Sequence, residues 1–119
     1  MNEQKCLADL FSAIDRKDAD EFISFLSESC VFRFGNIPLV QGSVHISEFV
    51  NGFFASIKSL SHELVEQWDI PDGKICHGTV SYTRLNNSVL TVPFSNIFKL
   101  NEDGIYEYLI FADTSELYV

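Results

Sequence analysis

The sequence predicts an α+β fold formed as one domain, and three observations carry that prediction. Apolar residues recur at helical spacing through most of the first half. From Leu60 onward the chain reads as four strands joined by short turn sequences, which implies an antiparallel meander. With 46% hydrophobic and 13% aromatic residues, eleven of them Phe, there is enough large apolar surface to fill a core between the helices and the sheet. The 119 residues suit a single domain spanning 1–119, and no repeat, low-complexity tract or linker divides it.

Residues 3 to 16 place Leu7, Leu10, Phe11 and Ile14 on one helical face, with Asn2 available as a cap. Asp18-Ala19-Asp20-Glu21 is a capping-box pattern that opens a second, shorter helix whose Phe22, Phe25 and Leu26 share a face, and the two helices meet at Lys17. Ser29 to Gly35 changes period and reads as a strand through Val31, Phe32 and Phe34. Asn36 to Gly42, including Pro38, supplies a turn. Ser43 can cap a third helix with a wide apolar stripe of Val50, Phe53, Phe54 and Ile57. The four strands follow at 61 to 70, 74 to 85, 88 to 100 and 105 to 115, separated by Pro71-Asp72-Gly73, Asn86-Asn87 and Asn101 to Gly104.

A net charge of -9, from 8 Lys plus Arg against 17 Asp plus Glu, repels a phosphate backbone, so neither nucleic acid nor an anionic membrane surface is an expected partner. Met-Asn-Glu-Gln-Lys at the amino terminus lacks the basic run and apolar core of a signal peptide, and a cytoplasmic location is expected. Cys6, Cys30 and Cys76 form an odd set with no close pair, which argues for reduced thiols rather than a disulfide framework or a zinc site. The three histidines lack metal-ligand spacing, and no phosphate loop, dinucleotide fingerprint or nucleophile elbow is present, so neither metal nor cofactor is expected. The acidic run Asp15 to Glu21 reads as a solvated helix junction.

The last strand sets Ile105, Leu109, Phe111 and Asp113 in one phase, which points a carboxylate inward. In an apolar site desolvation would raise its pKa from about 3.9 toward neutrality and suit it to proton transfer. The alternative is a solvated strand-end turn former, capped by Thr114 and Ser115. His62, in phase with Leu64 and Trp68, can face the same cavity as a proton-exchanging partner, or be a hydrogen-bonded core histidine. A two-residue turn at Asn86-Asn87 would set His77 opposite Asn96, Thr79 opposite Phe94 and Ser81 opposite Val92. A turn longer by one residue would exchange the faces and send Val80 and Tyr82 inward; the tight turn is preferred. Trp68, Phe49, Phe53 and Phe54 read first as core and second as an aromatic lining for a flat ligand. Both sheet faces carry apolar residues, so one should line a cavity and the other, with Ile97, Tyr108 and Ile110, a homodimer interface.

Val31-Phe32-Arg33-Phe34-Gly35-Asn36 followed by Gly42, Ile46 and Phe49, then Tyr82-Thr83-Arg84, Pro93-Phe94, Ile97-Phe98-Lys99-Leu100, Gly104-Ile105 and Phe111-Ala112-Asp113, resembles the SnoaL-like branch of the nuclear transport factor two-like superfamily. The resemblance implies a cystatin-like fold: a curved, mixed or antiparallel sheet wrapped against three helices as a cone-shaped α+β barrel. It also implies a catalytic role for Asp113, because epoxide hydrolases of the limonene type and SnoaL-like cyclases carry an aspartate at the matching position. The arginine and second aspartate of those hydrolases fall on His77 and Thr79, which speaks against epoxide hydrolysis. The ketosteroid isomerase triad is also missing: its tyrosine falls near Leu10 and Phe11, its base near Arg33, and no acid lies between Lys74 and Leu100.

The expected function is therefore proton transfer of the isomerase, cyclase or hydrolase type on a small apolar cyclic or polyketide-like compound. Asp113 and His62 would be catalytic, with His77, Trp68, Phe94, Asn96, Phe111 and Phe53 around the substrate. A non-catalytic binder of a small apolar ligand and a dimerisation module are the alternatives, since this fold hosts all three.

Overall fold

A computed structural model of the chain describes residues 6–118. Its elements run α1 (Leu7–Asp15), α2 (Ala19–Ile23), β1 (Leu26–Phe34), β2 (Val40–Gln41), α3 (Ser43–Ala55), β3 (Ser59–Ile70), β4 (Gly73–Thr83), β5 (Val89–Asn101) and β6 (Gly104–Ala112). The strands form one six-stranded sheet in the order β2-β1-β6-β5-β4-β3. All neighbours are antiparallel except β1 and β6, so the sheet is mixed. The order runs from edge to edge without closing, so the expected barrel is an open, curved sheet.

The helical half follows its capping chemistry. Cys6 stands at the N-cap of α1, while the proposed cap Asn2 lies outside the described residues. α1 ends where Lys17 takes φ 57°, with Lys17 N–H donating to Ile14 O at 2.8 Å and Asp18 N–H to Ala13 O at 2.9 Å, the paired bonds of a Schellman turn. Lys17 Nζ then donates to Ile57 O at 2.9 Å and ties this junction to the link between α3 and β3. Asp18 caps α2 by accepting from Glu21 N–H at 3.0 Å. The second helix is shorter than its apolar face suggested, because Leu26 already belongs to β1. The segment read as a turn holds β2, and Gly42, not Ser43, is the N-cap of α3.

Three departures from the regular two-residue period decide which side chains reach the core. Between β4 and β5, Asn87 N–H donates to Arg84 O at 2.9 Å and Arg84 N–H to Ser88 O at 2.8 Å, closing a loop of Leu85, Asn86 and Asn87 with Asn87 at φ 74°. That loop is one residue longer than the preferred turn, a type I turn followed by a left-handed residue. Gly78 therefore sits opposite Phe94 and Cys76 opposite Asn96, so Cys76, Val80 and Tyr82 face inward and His77 faces out. In β3, Leu64 pairs with Gly78 but Glu66 with His77, so Val65 is the extra residue of a bulge. In β6, Ile105 pairs with Leu100 but Glu107 with Lys99, which makes Tyr106 a second bulge and turns Tyr108 and Ile110 inward.

The concave face and the helices enclose the core. Tyr108 and Phe98 are fully buried in it, with Tyr108 ringed by Phe98, Phe32 and Phe22 at centroid distances of 4.5, 5.4 and 5.8 Å. Such contacts contribute about 0.5–1.5 kcal/mol each beyond area burial. Cys30 and Cys76 are buried free thiols whose burial pushes them up to about 12 and about 11, so they stay protonated and inert. No described helix is long and apolar enough to cross a membrane.

Candidate active site

Between α3 and the concave face lies a partly open hollow that offers about 50 Å³ to the centres of water-sized molecules. Phe32, Phe34, Phe49, Phe53, Val80 and Phe94 supply much of its lining. Four of the lining residues carry polar atoms: His62, Tyr82, Asn96 and Tyr108.

His62 is held from two sides. Because β3 is an edge strand, its His62 N–H is free of the ladder, and it donates to Asp15 Oδ2 at 2.9 Å. The ring's Nδ1 stands 2.6 Å from Asp15 Oδ1. A carboxylate only accepts, so Nδ1 carries a proton, and in the neutral ring Nε2 is then the nitrogen with the free lone pair. The imidazole lies against Phe11 at 4.7 Å and edge-on to Phe94 at 5.2 Å between centroids. It lines both the hollow and an outer groove that also touches Asp15, Arg16 and Ser12, so Asp15 meets solvent on the far side of the ring. This arrangement can accept a proton inside and stabilise the resulting imidazolium.

Asn96 is 2% exposed and Tyr108 is 0% exposed, yet Asn96 Oδ1 and the Tyr108 hydroxyl have no hydrogen-bond partner among the described residues. Burial raises the Tyr108 pKa well above the ordinary phenol value, with the Cys76 thiol nearby adding to it, so the group remains a neutral donor. Burial acts in the same direction on Tyr82.

Of the residues expected from sequence, His62, Phe94, Asn96 and Phe53 line the hollow and the others do not. Asp113 is corrected most sharply. β6 stops at Ala112, and Asp113 is an exposed turn residue whose Oδ1 accepts from Ser115 N–H at 3.0 Å. Hydrogen bonds from Ser115 hold its carboxyl below the usual range rather than above it. The Tyr106 bulge is the reason, because it puts Leu109, Phe111 and Asp113 out of phase with Ile105. Phe111 is 51% exposed on the outer face. The Val65 bulge carries Trp68 away from His62 to that same face, where its ring stacks on His77 at 5.6 Å and 15°. Tyr108 and Ile110, expected there, line the hollow instead.

Asp15 lies inside what reads, from sequence, as a solvated acidic run. Its signal was positional: it closes α1, where the helix dipole disfavours a carboxylate and a partner is needed. Nothing in the sequence marks the Tyr106 bulge, so Tyr108 had no such signal.

The sequence profile of the SnoaL-like domain matches residues 7–108. No curated protein sequence matches the chain. Among solved structures, a candidate polyketide cyclase from Xanthomonas campestris pv. campestris superposes with a TM-score of 0.83 at 15% identity, covering 93% of this chain and 90% of that one. An NTF2-like protein of unknown function from Exiguobacterium sp. 255-15 gives 0.77 at 23% identity over 90% and 97%. TerC co-crystallised with polyporic acid gives 0.81 at 14% identity over 94% and 92%. At these identities the superpositions speak for the fold, while the profile, running from the first residue of α1 into β6, shows that the chain belongs to the SnoaL-like domain family.

Proposed function

We propose that this protein is a proton-transfer enzyme of the isomerase or cyclase kind, acting on a small, largely apolar cyclic or polyketide-like compound with His62 as the base. The observation that carries this reading is the Asp15–His62 pair set in the wall of an otherwise apolar hollow. His62 Nε2 takes a proton from a carbon beside a carbonyl, the electron pair moves to the carbonyl oxygen, and Asp15 stabilises the imidazolium. Return of the proton at a second carbon completes an isomerisation; attack of the enolate on a second carbonyl of the same molecule closes a ring, and the imidazolium then gives its proton to the alkoxide formed. The relative named as a candidate polyketide cyclase supports the same class.

The test is exchange of the α-protons of 2-tetralone in D2O, followed by NMR. The protein should accelerate it, His62→Gln should lose that acceleration by about 100-fold or more, and Asp113→Asn should keep it. Equal rates for the native protein and His62→Gln would end the reading.

The outer sheet face favours a homodimer as the working form. Trp68 is 46% and Phe111 51% exposed there, with half-buried Ile75, Ile97 and Leu109 between them and no described element of this chain covering them. Sedimentation at micromolar concentration should give a dimer, and the double change Ile97→Asp with Phe111→Asp a folded monomer. A monomeric native protein would refute the proposal.

A further inference from the structure

We propose that the deep end of the hollow is a subsite for a single hydroxyl group on a neutral, ring-containing ligand, held jointly by Tyr108 and Asn96. Asn96 pairs across the ladder with Ile110, and Phe98 with Tyr108, which makes Asn96 and Tyr108 diagonal neighbours on the concave face. Both line the hollow, and Asn96 Oδ1 and the Tyr108 hydroxyl are themselves sealed from solvent and find no partner among the described residues, including each other, so a ligand reaches them once side chains of the lining shift. Leaving such groups unpaired costs about 1–3 kcal/mol each, a cost a ligand can offset.

Their chemistry defines the partner. Asn96 Oδ1 can only accept, while the Tyr108 hydroxyl can donate. A carbonyl or ether oxygen would satisfy Tyr108 and leave Asn96 unpaired; an alcohol, phenol or enol donates to Asn96 and accepts from Tyr108 through one oxygen. Among the described residues no Lys, Arg, Asp or Glu lines the hollow, so a ligand charge would be buried without a counter-charge from them, and the ligand is neutral. The phenylalanine walls between this end and His62, with Phe94 touching the His62 ring and standing two residues from Asn96 on the same face, call for apolar rings in the middle. The ligand thus spans from a hydroxyl at Tyr108 and Asn96 toward the imidazole.

This assignment rests on the hollow being the substrate site, but not on His62 acting as a base, so it is tested by binding alone. Calorimetric titration would compare 2-naphthol with 2-methylnaphthalene, and 4-phenylphenol with 4-methylbiphenyl. In at least one pair the hydroxyl compound should bind ten-fold or more tightly, although the methyl compound is the more readily expelled from water. Tyr108→Phe and Asn96→Leu should each remove most of that preference. Both variants should fold and melt no lower than the native protein, because each deletes an unpartnered buried polar atom; His62→Gln should keep the preference. Equal affinity within both pairs, a preference that survives both substitutions, or no binding by any of the four compounds would overturn the subsite. If the preference is present but α-proton exchange is absent, only the proton-transfer reading fails.

Discussion

Asp15→Asn is expected to lower the α-proton exchange rate by about 100-fold or more, nearly as much as removal of His62 itself, while changing stability little. An asparagine can keep its side-chain oxygen on His62 N–H, where Asp15 Oδ2 accepts at 2.9 Å, so α1 stays docked on the edge strand. The second contact is different. Where Asp15 Oδ1 faces Nδ1 at 2.6 Å, an amide group donates, and Nδ1 must then accept. The ring proton moves to Nε2, which converts the proposed base into a donor and leaves the imidazolium without its counter-charge. Loss of the correct tautomer in hydrolases of the Ser-His-Asp type costs on the order of 10⁴ in kcat, so 100-fold is a conservative expectation. Exchange by NMR alongside urea unfolding checks it. A structural aspartate would move the unfolding midpoint and leave exchange in proportion to folded protein, whereas an unaltered rate with an unaltered midpoint would show that Asp15 does not orient the base.

The pattern-bearing parts of the fold were legible in the sequence, and the irregular ones were not. Leu7, Leu10, Phe11 and Ile14 are buried as their helical spacing requires, and Asp18 caps α2 as its capping box predicts. The breaks between the strands fall at Pro71-Asp72, near Asn86-Asn87 and after Asn101, where the turn residues put them. The β1–β6 pairing was not legible, since the chain order alone does not reveal a parallel contact between its first and last long strands. Nor were the strand faces. A period-two reading carries an orientation along a strand only until an extra residue intervenes, and β3 and β6 each contain one. His62 and Leu64 precede the bulge in β3, and their phase held; Trp68 follows it and was lost. Ile105 precedes the bulge in β6, whereas Phe111 and Asp113 follow it.

The site was legible in proportion. Phe94 and Asn96 lie on β5 beyond any irregularity, and both reach the hollow as their strand position suggests. His77 depended on one residue of loop length, and the left-handed Asn87 reversed it. The most consequential partnership, Asp15 with His62, joins residues 47 apart in the chain and depends on how α1 meets an edge strand, a tertiary contact with no local signature beyond the misplaced charge at a helix end. Side chains on regular strands could be assigned from the sequence; those aimed by bulges, loops or helix docking needed coordinates.

Gly78→Ala is expected to be among the most destabilising conservative changes in the sheet, costing about 3 kcal/mol or more, at the upper end of single-substitution effects. A Cβ on Gly78 would lie 1.9 Å from Glu63 O and 2.9 Å from its carbonyl carbon, an overlap with backbone that no side-chain rotation can relieve. The position matters because Leu64 pairs with Gly78 immediately before the Val65 bulge, so the missing side chain lets β3 bend over β4. That bend lies two residues from His62 and helps fix the strand against Asp15. If the alanine forces β3 outward, the Asp15 contacts are the first to stretch, and exchange activity should fall by more than the loss of folded protein accounts for. Urea unfolding and NMR exchange on the same samples separate the two effects. A midpoint within 1 kcal/mol of the native protein would mean that β3 can flatten freely, and the aim of His62 would then have to come from α1 alone.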